Sequence, residues 1–453
     1  MIEPIQDART EEEARRSGSP SDRKRSDGSP TFQRLLCASF NQDMTSLAVG
    51  CKDGYRLFSL SSVDRLDCIH QGVESPYVYI VERLFSSSLM VVVSRSTPFR
   101  MNIYHFKKGT EICNYSYSNN ILSVKLNRKR LVVCLEEALY IHDIKDMKLL
   151  KSLLNTPPNP KGLCALSVNH SNSYLVYPGG STAGEITLYD AMNLSMVTVI
   201  SAHASPVAAI SFNASGTHLA SASEKGTVIR VFSIPDGVKL FEFRRGMKRY
   251  VSISSLSFSA DEQFLCASSN TETVHIFRLV HHSPSKESSS WSAYMGKMFS
   301  AASTYLPSQV SDMMHQDRAF ATVRLSVSGR KNVSGLAMIQ KVLRLLVTSL
   351  DGHLYIYNVD PQEGGDCCLV KKHRLFESND ENPVVTELQD GSLSYAATVT
   401  TTNQDSPSSS SLTGYSEDGG AKKGELIPEY EFADGPVRLD DEQEFPPVSF
   451  QNT

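Results

Sequence analysis

An alternating apolar strand pattern recurs seven times along the chain, and this repeat limits the possible folds more than any other feature. The seven segments are YRLFSL (55–60), MNIYHF (101–106), LYIHDI (139–144), ITLYDA (186–191), IRVFSI (229–234), VHIFRL (274–279) and LYIYNV (354–359). Their anchors are 46, 38, 47, 43, 45 and 80 residues apart, at Phe58, Tyr104, His142, Tyr189, Phe232, Phe277 and Tyr357. Units of roughly 40–45 residues with several short strands each are typical of β-propeller blades. We therefore predict an all-β, seven-bladed, divergent WD40-like β-propeller, and a double β-sandwich is the competing architecture.

Composition divides the chain into a folded centre and two polar ends. We expect a disordered N-terminal arm (1–33), a propeller (34–375) and a disordered acidic tail (376–453), because the end segments lack enough apolar residues to offset the entropy of ordering. Residues 376–453 hold 16 acidic and 3 basic residues, whereas the whole chain has a formal net charge of only −4. The predicted propeller is therefore basic, which favours anionic surfaces or ligands.

Several functional classes are excluded by what the sequence lacks. The chain has no apolar run of 18 residues, and its N-terminus is polar and charged, unlike a signal peptide. The nine cysteines are scattered without zinc-ligand spacing, so we expect a reducing compartment and no metal. Nucleophile-elbow, P-loop and HExxH motifs are also absent. We expect that the protein is not an enzyme, needs no cofactor and has no nucleic-acid partner.

The basic stretch FRRGMKRY (243–250) is the strongest candidate for a binding site. It follows the predicted outermost strand of unit five (240–243), and so connects units five and six. Because successive side chains of an extended segment point to opposite sides, Arg244 and Arg245 are expected to face different blades. Gly246 is expected to let the backbone bend and an anion approach closely.

The two units beside this connection offer matching polar residues. When Phe232 and Phe277 are aligned, Arg230 corresponds to His275, and Ser223 corresponds to Ser269 with a one-residue gap. Each unit would then supply hydroxyl groups, a basic or titratable side chain and one arginine, which suits a phosphate group. An imidazole beside a phosphate is expected to gain charge as the pH falls, so that binding strengthens from pH 8 to pH 6.

A long insertion follows the strand of unit six and accounts for the 80-residue spacing. Its apolar residues recur at the three- and four-residue intervals of an amphipathic helix. They are Trp291, Tyr294, Met295, Met298, Phe299, Tyr305 and Leu306. We predict that residues 280–319 form a membrane-inserting amphipathic loop, and the alternative is that this helix packs on the propeller.

Several of these segments resemble the PROPPIN family in its animal WIPI branch, the WD-repeat proteins that interact with phosphoinositides. They include FRRGMKRY, ASEKGTVIRVFS, SSNTETVHIF and FKKGTEICNYSYS, and the resemblance covers about 34–362. It implies a seven-bladed propeller that binds phosphatidylinositol 3-phosphate and phosphatidylinositol 3,5-bisphosphate and acts in autophagosome formation. The implied location is cytoplasmic, with peripheral association with phagophore, autophagosome and endosomal membranes.

The resemblance also implies two lipid-binding pockets flanking the arginine pair. The first would use His203, Ser221, Ser223, Gly226, Thr227, Arg230 and Arg244. The second would use Arg245, Ser252, Ser254, Ser269, Thr273 and His275. In the same way, the 280–319 segment would correspond to the membrane-inserting loop of the family.

A site for protein partners is also predicted. The resemblance implies recruitment of proteins of the autophagy conjugation machinery, and a basic groove for an acidic helix is expected at Lys107, Lys108, Arg128, Lys129 and Arg130. The alternative is that these residues form solvated turns. The alternative function is a propeller scaffold that binds acidic peptides at its basic rim and does not bind lipid.

Overall fold

Seven antiparallel sheets form the part of the chain that the structure, a computed structural model, describes. The described residues are 35–169, 171–246, 250–279, 319–326, 331–376 and 422–423, and every regular element in these ranges is a β-strand. Each sheet contains a four-stranded meander, so the prediction of a seven-bladed, all-β propeller is confirmed. The arm, the tail other than 376 and 422–423, and residues 280–318 of the insertion lie outside the described residues. The predicted disorder and the predicted domain limits stay predictions.

The first three blades come from consecutive stretches of chain. Blade one contains β1 (Leu35–Phe40), β2 (Ser46–Cys51), β3 (Gly54–Ser59) and β4 (Cys68–Gly72). Blade two contains β5 (Val78–Arg83), β6 (Leu89–Ser94), β7 (Arg100–His105) and β8 (Thr110–Ser116). Blade three contains β9 (Ser123–Leu126), β10 (Arg130–Cys134), β11 (Ala138–Asp143) and β12 (Leu149–Leu154).

The next three blades repeat the arrangement. Blade four contains β13 (Ala165–Leu166), β14 (Tyr174–Pro178), β15 (Gly184–Asp190) and β16 (Ser195–His203). Blade five contains β17 (Val207–Phe212), β18 (His218–Ser223), β19 (Val228–Ser233) and β20 (Lys239–Arg244). Blade six contains β21 (Ile253–Phe258), β22 (Phe264–Ser269), β23 (Thr273–Arg278) and β24 (Ala321–Arg324).

Blade seven completes the ring, and two short strands extend other blades. Blade seven contains β25 (Asn332–Ile339), β26 (Val342–Ser349) and β27 (His353–Asn358), and its outer strand is β29 (Cys368–Arg374). Between the last two lies β28 (Gly365–Asp366), which pairs in parallel with β24 of blade six. The tail contributes β30 (Lys422–Lys423), which pairs with the outer strand β8 of blade two.

Among the described strands, the ring closes through side-chain contacts and not through a shared strand. The first strands of neighbouring blades contact one another around the centre, and β25 contacts β1. An apolar cluster joins blades one and seven, and its members include Leu47, Phe58, Leu346 and Leu354. Comparable clusters fill the other spaces between blades, so burial of apolar surface holds adjacent blades face to face.

The meander order decides which loops share an end of the propeller. In an antiparallel meander, the turn between the second and third strands lies at the same end as the connection to the next blade. The blade five–six connection therefore shares an end with the turn 224–227 of blade five. The insertion leaves blade six between β23 and β24, which is the opposite end of these strands.

Candidate anion-binding pockets at blades five and six

The arginine pair lies at the end of the outermost strand of blade five. Arg244 is the last residue of β20 and pairs with Val228, and the backbone N–H of Arg245 continues the ladder by donating to the carbonyl of Thr227 at 2.9 Å. Sequence analysis ended the outermost strand at Phe243 and placed Arg244 in the connection, but Arg244 belongs to the strand itself. The strand therefore fixes the direction of the Arg244 side chain.

The two arginine side chains face different blades. Phe243, between Glu242 and Arg244, is buried against Phe277 of blade six with ring centroids 4.8 Å apart. Strand alternation directs Arg244 to the other side, where its Nη2 lies 3.9 Å from Oε1 of Glu242. Arg245 reaches blade six, where its Nη2 donates a hydrogen bond to Oγ1 of Thr271.

The first predicted pocket lies on the surface of blade five that faces blade four. Ser221 and Arg230 are directly opposite each other in the sheet, and Nε2 of His203 from β16 shares a 2.8 Å hydrogen bond with Oγ of Ser221. Nη1 of Arg230 donates to the carbonyl of Ala202 at 2.6 Å. The structure thus brings His203, Ser221 and Arg230 together beside the strand that carries Arg244.

A carboxylate occupies the centre of this group of cations. Glu242 is paired with Arg230 across the sheet and accepts hydrogen bonds from its Nε and from Nζ of Lys239, both at 2.9 Å. Burial opposes ionisation of Glu242, but the hydrogen bonds from Lys239 and Arg230 outweigh it and hold the carboxyl pKa below its usual value. Glu242 is therefore ionised at neutral pH, and it holds the basic side chains of the first pocket in place.

The turn of blade five supports the arginine connection. Thr227 accepts the hydrogen bond from Arg245, and the N–H of Val251 donates to the carbonyl of Lys225 at 3.2 Å. Gly226 has φ +62°, and a Cβ there would lie 2.0 Å from the carbonyl oxygen of Val251. Gly226 is therefore required by the close approach of the two backbones. Ser223 is buried at the end of β18, two residues from Ser221 on the same side.

The second predicted pocket is built on the surface of blade six that faces blade five. Oγ1 of Thr271, which accepts the bond from Arg245, also shares a 2.8 Å hydrogen bond with the buried Oγ of Ser269. His275 lies opposite Thr322 on β24 and stacks at 6.2 Å on Phe277. Thr273 begins the same strand on the same side as His275.

Ser252 and Ser254 are less closely connected with this group. They flank Ile253, whose side chain is buried in the cluster between blades five and six, and Ser254 lies at a β-bulge. Within the described residues, no hydrogen bond joins either hydroxyl to Arg245, Thr271 or His275. The backbone N–H of Ser252 instead donates to Oδ1 of Asn270 at 3.1 Å, and its carbonyl accepts from the N–H of Asn270 at 3.0 Å.

Gly246 follows Arg245 in an open position. Among the described residues, nothing lies within 4 Å of a Cβ built on Gly246, and its φ is outside the left-handed region. Neither these neighbours nor its φ therefore requires glycine at this position. The expectation that Gly246 lets the backbone bend and an anion approach closely stays a prediction.

Both pocket histidines are neutral at physiological pH. Burial, followed by the charge of Arg230, lowers the pKa of His203 to about 4. Burial, followed by the charge of Arg245, lowers the pKa of His275 to about 4. In the free protein, burial and the neighbouring guanidinium groups both oppose protonation. The expectation that an imidazole beside a bound phosphate gains charge between pH 8 and pH 6 stays a prediction.

The basic residues predicted to bind a partner lie at the end of the propeller opposite FRRG. Lys107 and Lys108 are exposed in the turn between β7 and β8, and Lys129 is partly exposed. Arg128 lies over the ring of Phe85 at 4.2 Å. Arg130 is buried, with Nη1 donating to Asp143 at 3.0 Å and Nε to the carbonyl of Ala191 at 2.7 Å, so it has a structural role.

Three residues near the pockets were missed by sequence analysis. Glu242 and Thr271 contact the predicted binding residues directly. Glu242 lies two positions before Arg244, but an acidic residue in the sequence does not by itself indicate a site for anions. Arg324 on β24 pairs with Thr273 and was missed because the insertion separates it from its blade in sequence.

A cleft of about 460 Å³ lies beside the first pocket, and its lining includes Thr198, Ile200, Arg230 and Lys239.

Within the described ranges, no group of three or more His, Cys, Asp or Glu side chains is placed to hold a metal ion. The same part of the chain contains no helix that is long and apolar enough to cross a membrane. The predicted membrane-inserting residues, from Trp291 to Leu306, lie outside the described residues.

Comparisons with known proteins extend these observations. The model of the family described as PROPPIN matches residues 34–376. The chain is 67% identical over 421 residues to WD repeat domain phosphoinositide-interacting protein 1 of Homo sapiens, covering 91% of this chain and 93% of that protein. It is 41% identical over 359 residues to Autophagy-related protein 18 of Caenorhabditis elegans, covering 75% of this chain and 86% of that protein. The solved complex of KlAtg21 with the coiled-coil of AgAtg16 aligns with a TM-score of 0.58 at 25% identity, covering 76% of this chain and all of that chain.

Replacement of Gly226 tests the support of the arginine connection. We expect Gly226→Ala to lower the free energy of unfolding by about 1–3 kcal/mol, because the new Cβ meets the Val251 backbone at a positive φ. Gly246→Ala is the matched control and should change it by less than about 0.5 kcal/mol. Urea unfolding monitored by circular dichroism measures both, and equal effects of the two substitutions would contradict this role of Gly226.

The lowered histidine pKa values predict loss of stability in acid. Because His275 has a folded pKa of about 4 against an ordinary value of 6.5, the unfolded chain binds more protons between these values, and stability falls as the pH drops through them. One such histidine contributes about 1–2 kcal/mol to the difference in unfolding free energy between pH 7 and pH 5. In His275→Gln this difference should shrink by that amount in urea titrations, and an unchanged difference would show that the imidazole is not held neutral.

Proposed function

Since the chain belongs to the PROPPIN family, we propose that it is a phosphoinositide effector that binds phosphatidylinositol 3-phosphate and phosphatidylinositol 3,5-bisphosphate through two pockets. Bound to the membrane, it would act as a scaffold in autophagosome formation. Its relatives are named for interaction with phosphoinositides and for autophagy. The observation that carries the proposal is the division of Arg244 and Arg245 between two adjacent, similarly built blade surfaces.

Each surface offers the donors that a phosphate monoester requires. Guanidinium groups give charge-assisted hydrogen bonds of fixed geometry, and hydroxyl groups complete the orientation of the phosphate. In the first pocket these groups are Arg230, Arg244 and Ser221, and in the second they are Arg245, Thr271 and Ser269. The remaining predicted residues take part less directly, since Gly226 and Thr227 hold the connection and Ser252 and Ser254 lie beside it.

The histidines would act as neutral hydrogen-bonding groups. Because His203 and His275 have pKa values of about 4, neither adds charge to the pockets of the free protein near neutral pH. An imidazole held by one partner, as His203 is by Ser221, presents its other ring nitrogen in a fixed direction. The binding energy for the phosphates would therefore come mainly from the arginines.

Two pockets on one edge would bind a membrane by avidity. Each pocket binds one headgroup weakly, and simultaneous engagement of two lipids in the same bilayer can raise the overall affinity by about 10²–10⁴. Both pockets involve strands or connections at the outside of the ring. The propeller would thus meet the membrane with its edge at blades five and six.

The same edge would accommodate the predicted membrane-inserting loop. Its anchors, Arg278 and Ala321, end β23 and begin β24, and Arg278 lies 3.9 Å over the ring of Phe320. They lie at the far end of a six-residue strand, about 17 Å from the end that carries Thr273. A bilayer lying along the edge could therefore contact headgroup pockets at one end and the apolar loop at the other.

The opposite end of the ring would recruit protein. Lys107, Lys108, Arg128 and Lys129 suit an acidic helix, while the buried Arg130 supports the turn. A coiled coil of AgAtg16 is bound in the solved complex with KlAtg21, to which this chain is 25% identical. We propose that the partners include proteins of the autophagy conjugation machinery, and that the protein is cytoplasmic and associates peripherally with phagophore, autophagosome and endosomal membranes.

Vesicle flotation tests lipid binding. We expect the wild-type protein to float with vesicles that contain phosphatidylinositol 3-phosphate and not with vesicles of neutral lipid alone. Arg244→Ala with Arg245→Ala should remain at the bottom of the gradient, because each pocket loses one cation and avidity is lost. Arg95→Ala removes an exposed arginine of blade two and is the matched control. Flotation of the double variant equal to wild type would favour the alternative of a scaffold for acidic peptides.

A second flotation experiment tests the loop. Met298→Asp with Phe299→Asp should weaken flotation and leave the protein soluble, because charged side chains oppose burial of the apolar face in the bilayer. Ser292→Asp with Ser300→Asp adds the same charge on the predicted polar face and should have a smaller effect. If the Met298 and Phe299 substitutions unfold the protein, the segment packs on the propeller as part of its core.

A further inference from the structure

Strand register places Arg324 in blade six at the position that Arg244 occupies in blade five. Arg230 lies opposite Glu242, and Val228 opposite Arg244. In blade six His275 lies opposite Thr322, and Thr273 opposite Arg324. Phe232 and Phe277, each two residues beyond Arg230 and His275, pair with equivalent leucines, so the two blades are in the same register. Glu242 therefore corresponds to Thr322, and Arg244 corresponds to Arg324.

The side chain of Arg324 is on the surface of the second pocket. Ala321 and Val323 are buried in the cluster between blades six and seven. Because side chains alternate along a strand, Thr322 and Arg324 point the other way, toward blade five, as do His275 and Thr273. Arg324 is exposed, and in the described part of the chain its guanidinium group forms no hydrogen bond or ion pair.

Glu242 of blade five and Thr322 of blade six occupy equivalent positions but differ in charge and in their hydrogen-bond partners. In blade five Glu242 accepts hydrogen bonds from Arg230 and Lys239 and lies near Arg244. In blade six this position is Thr322, which is uncharged and donates to Oδ1 of Asp366 at 2.7 Å. Asp366 pairs with Thr322 in the sheet and is exposed at the outer edge of the blade.

We infer that Arg324 is a further anion-binding residue of the second pocket, and that this pocket binds a phosphate monoester more tightly than the first because Glu242 competes with the ligand for the cations of blade five. The inference rests on the proposed function and adds a residue and an order of affinity to it. A phosphate entering the first pocket shares Arg230 with a fixed carboxylate, whereas a phosphate entering the second meets Arg245 and Arg324 from two sides.

Calorimetric titration with soluble inositol 1,3-bisphosphate, which has no acyl chains, tests the two pockets without the membrane. We expect two sites of unequal affinity in the full-length wild-type protein. Arg324→Gln should weaken the tighter site by roughly 5–10-fold, the loss expected for one charge-assisted contact. Arg324→Lys should retain part of the affinity, because it keeps the charge without the planar fork. Glu242→Gln should strengthen the weaker site by about 3–10-fold.

The controls separate failure of this inference from failure of the proposed function. If the wild type does not bind inositol 1,3-bisphosphate and does not float with lipid, both fail. If the wild type binds and Arg244→Ala with Arg245→Ala abolishes binding, but Arg324→Gln titrates like the wild type, only the role of Arg324 is overturned. An unchanged weaker site in Glu242→Gln overturns the assigned order of affinity. Arg95→Ala should leave both sites unchanged, and inorganic phosphate should bind more weakly than the bisphosphate if the pockets read a headgroup.

Discussion

The hydrogen bonds that join the turn of blade five to the following connection determine where each pocket arginine points. Arg245 donates its backbone N–H to Thr227, and Val251 donates to Lys225, so the connection is held at both of its ends. Gly226 lets the two backbones approach to a distance that no other residue would allow. With the end of β20 fixed in this way, strand alternation sends Arg244 toward blade four and leaves Arg245 to reach blade six.

The site is already ordered before a ligand arrives. Arg230 donates to Ala202 and Glu242, and Arg245 donates to Thr271, so protein acceptors hold these guanidinium groups in the positions they would need. Side chains that are held in place lose little conformational entropy when a ligand binds. When a ligand binds, its oxygens must replace these protein acceptors. Displacing a carboxylate costs more free energy than displacing a hydroxyl or a carbonyl group.

The ring and the separation of the two arginines could be predicted from the sequence because both follow from periodicity. Seven strand patterns at similar spacing specify seven blades, and adjacent residues of an extended chain point to opposite sides. Arg324 could not be found in this way, since an insertion of about 40 residues interrupts the sequence match between β23 and β24, and only the register restores it. The neutral state of His203 and His275 also required the structure, because it depends on burial and on guanidinium groups that are distant in sequence. Glu242 was missed for a chemical reason: an acidic residue does not suggest a site for anions until its contacts are known.

Closure of the ring by side chains alone has a consequence for synthesis of the protein. Every blade takes its four main strands from one continuous stretch of chain, and no strand from the N-terminal region is needed to complete blade seven. Each blade can therefore assemble as it leaves the ribosome and dock on the blade made before it. The apolar faces of blades one and seven meet only when the last blade has been made, so the first blade must keep one apolar face uncovered for most of translation.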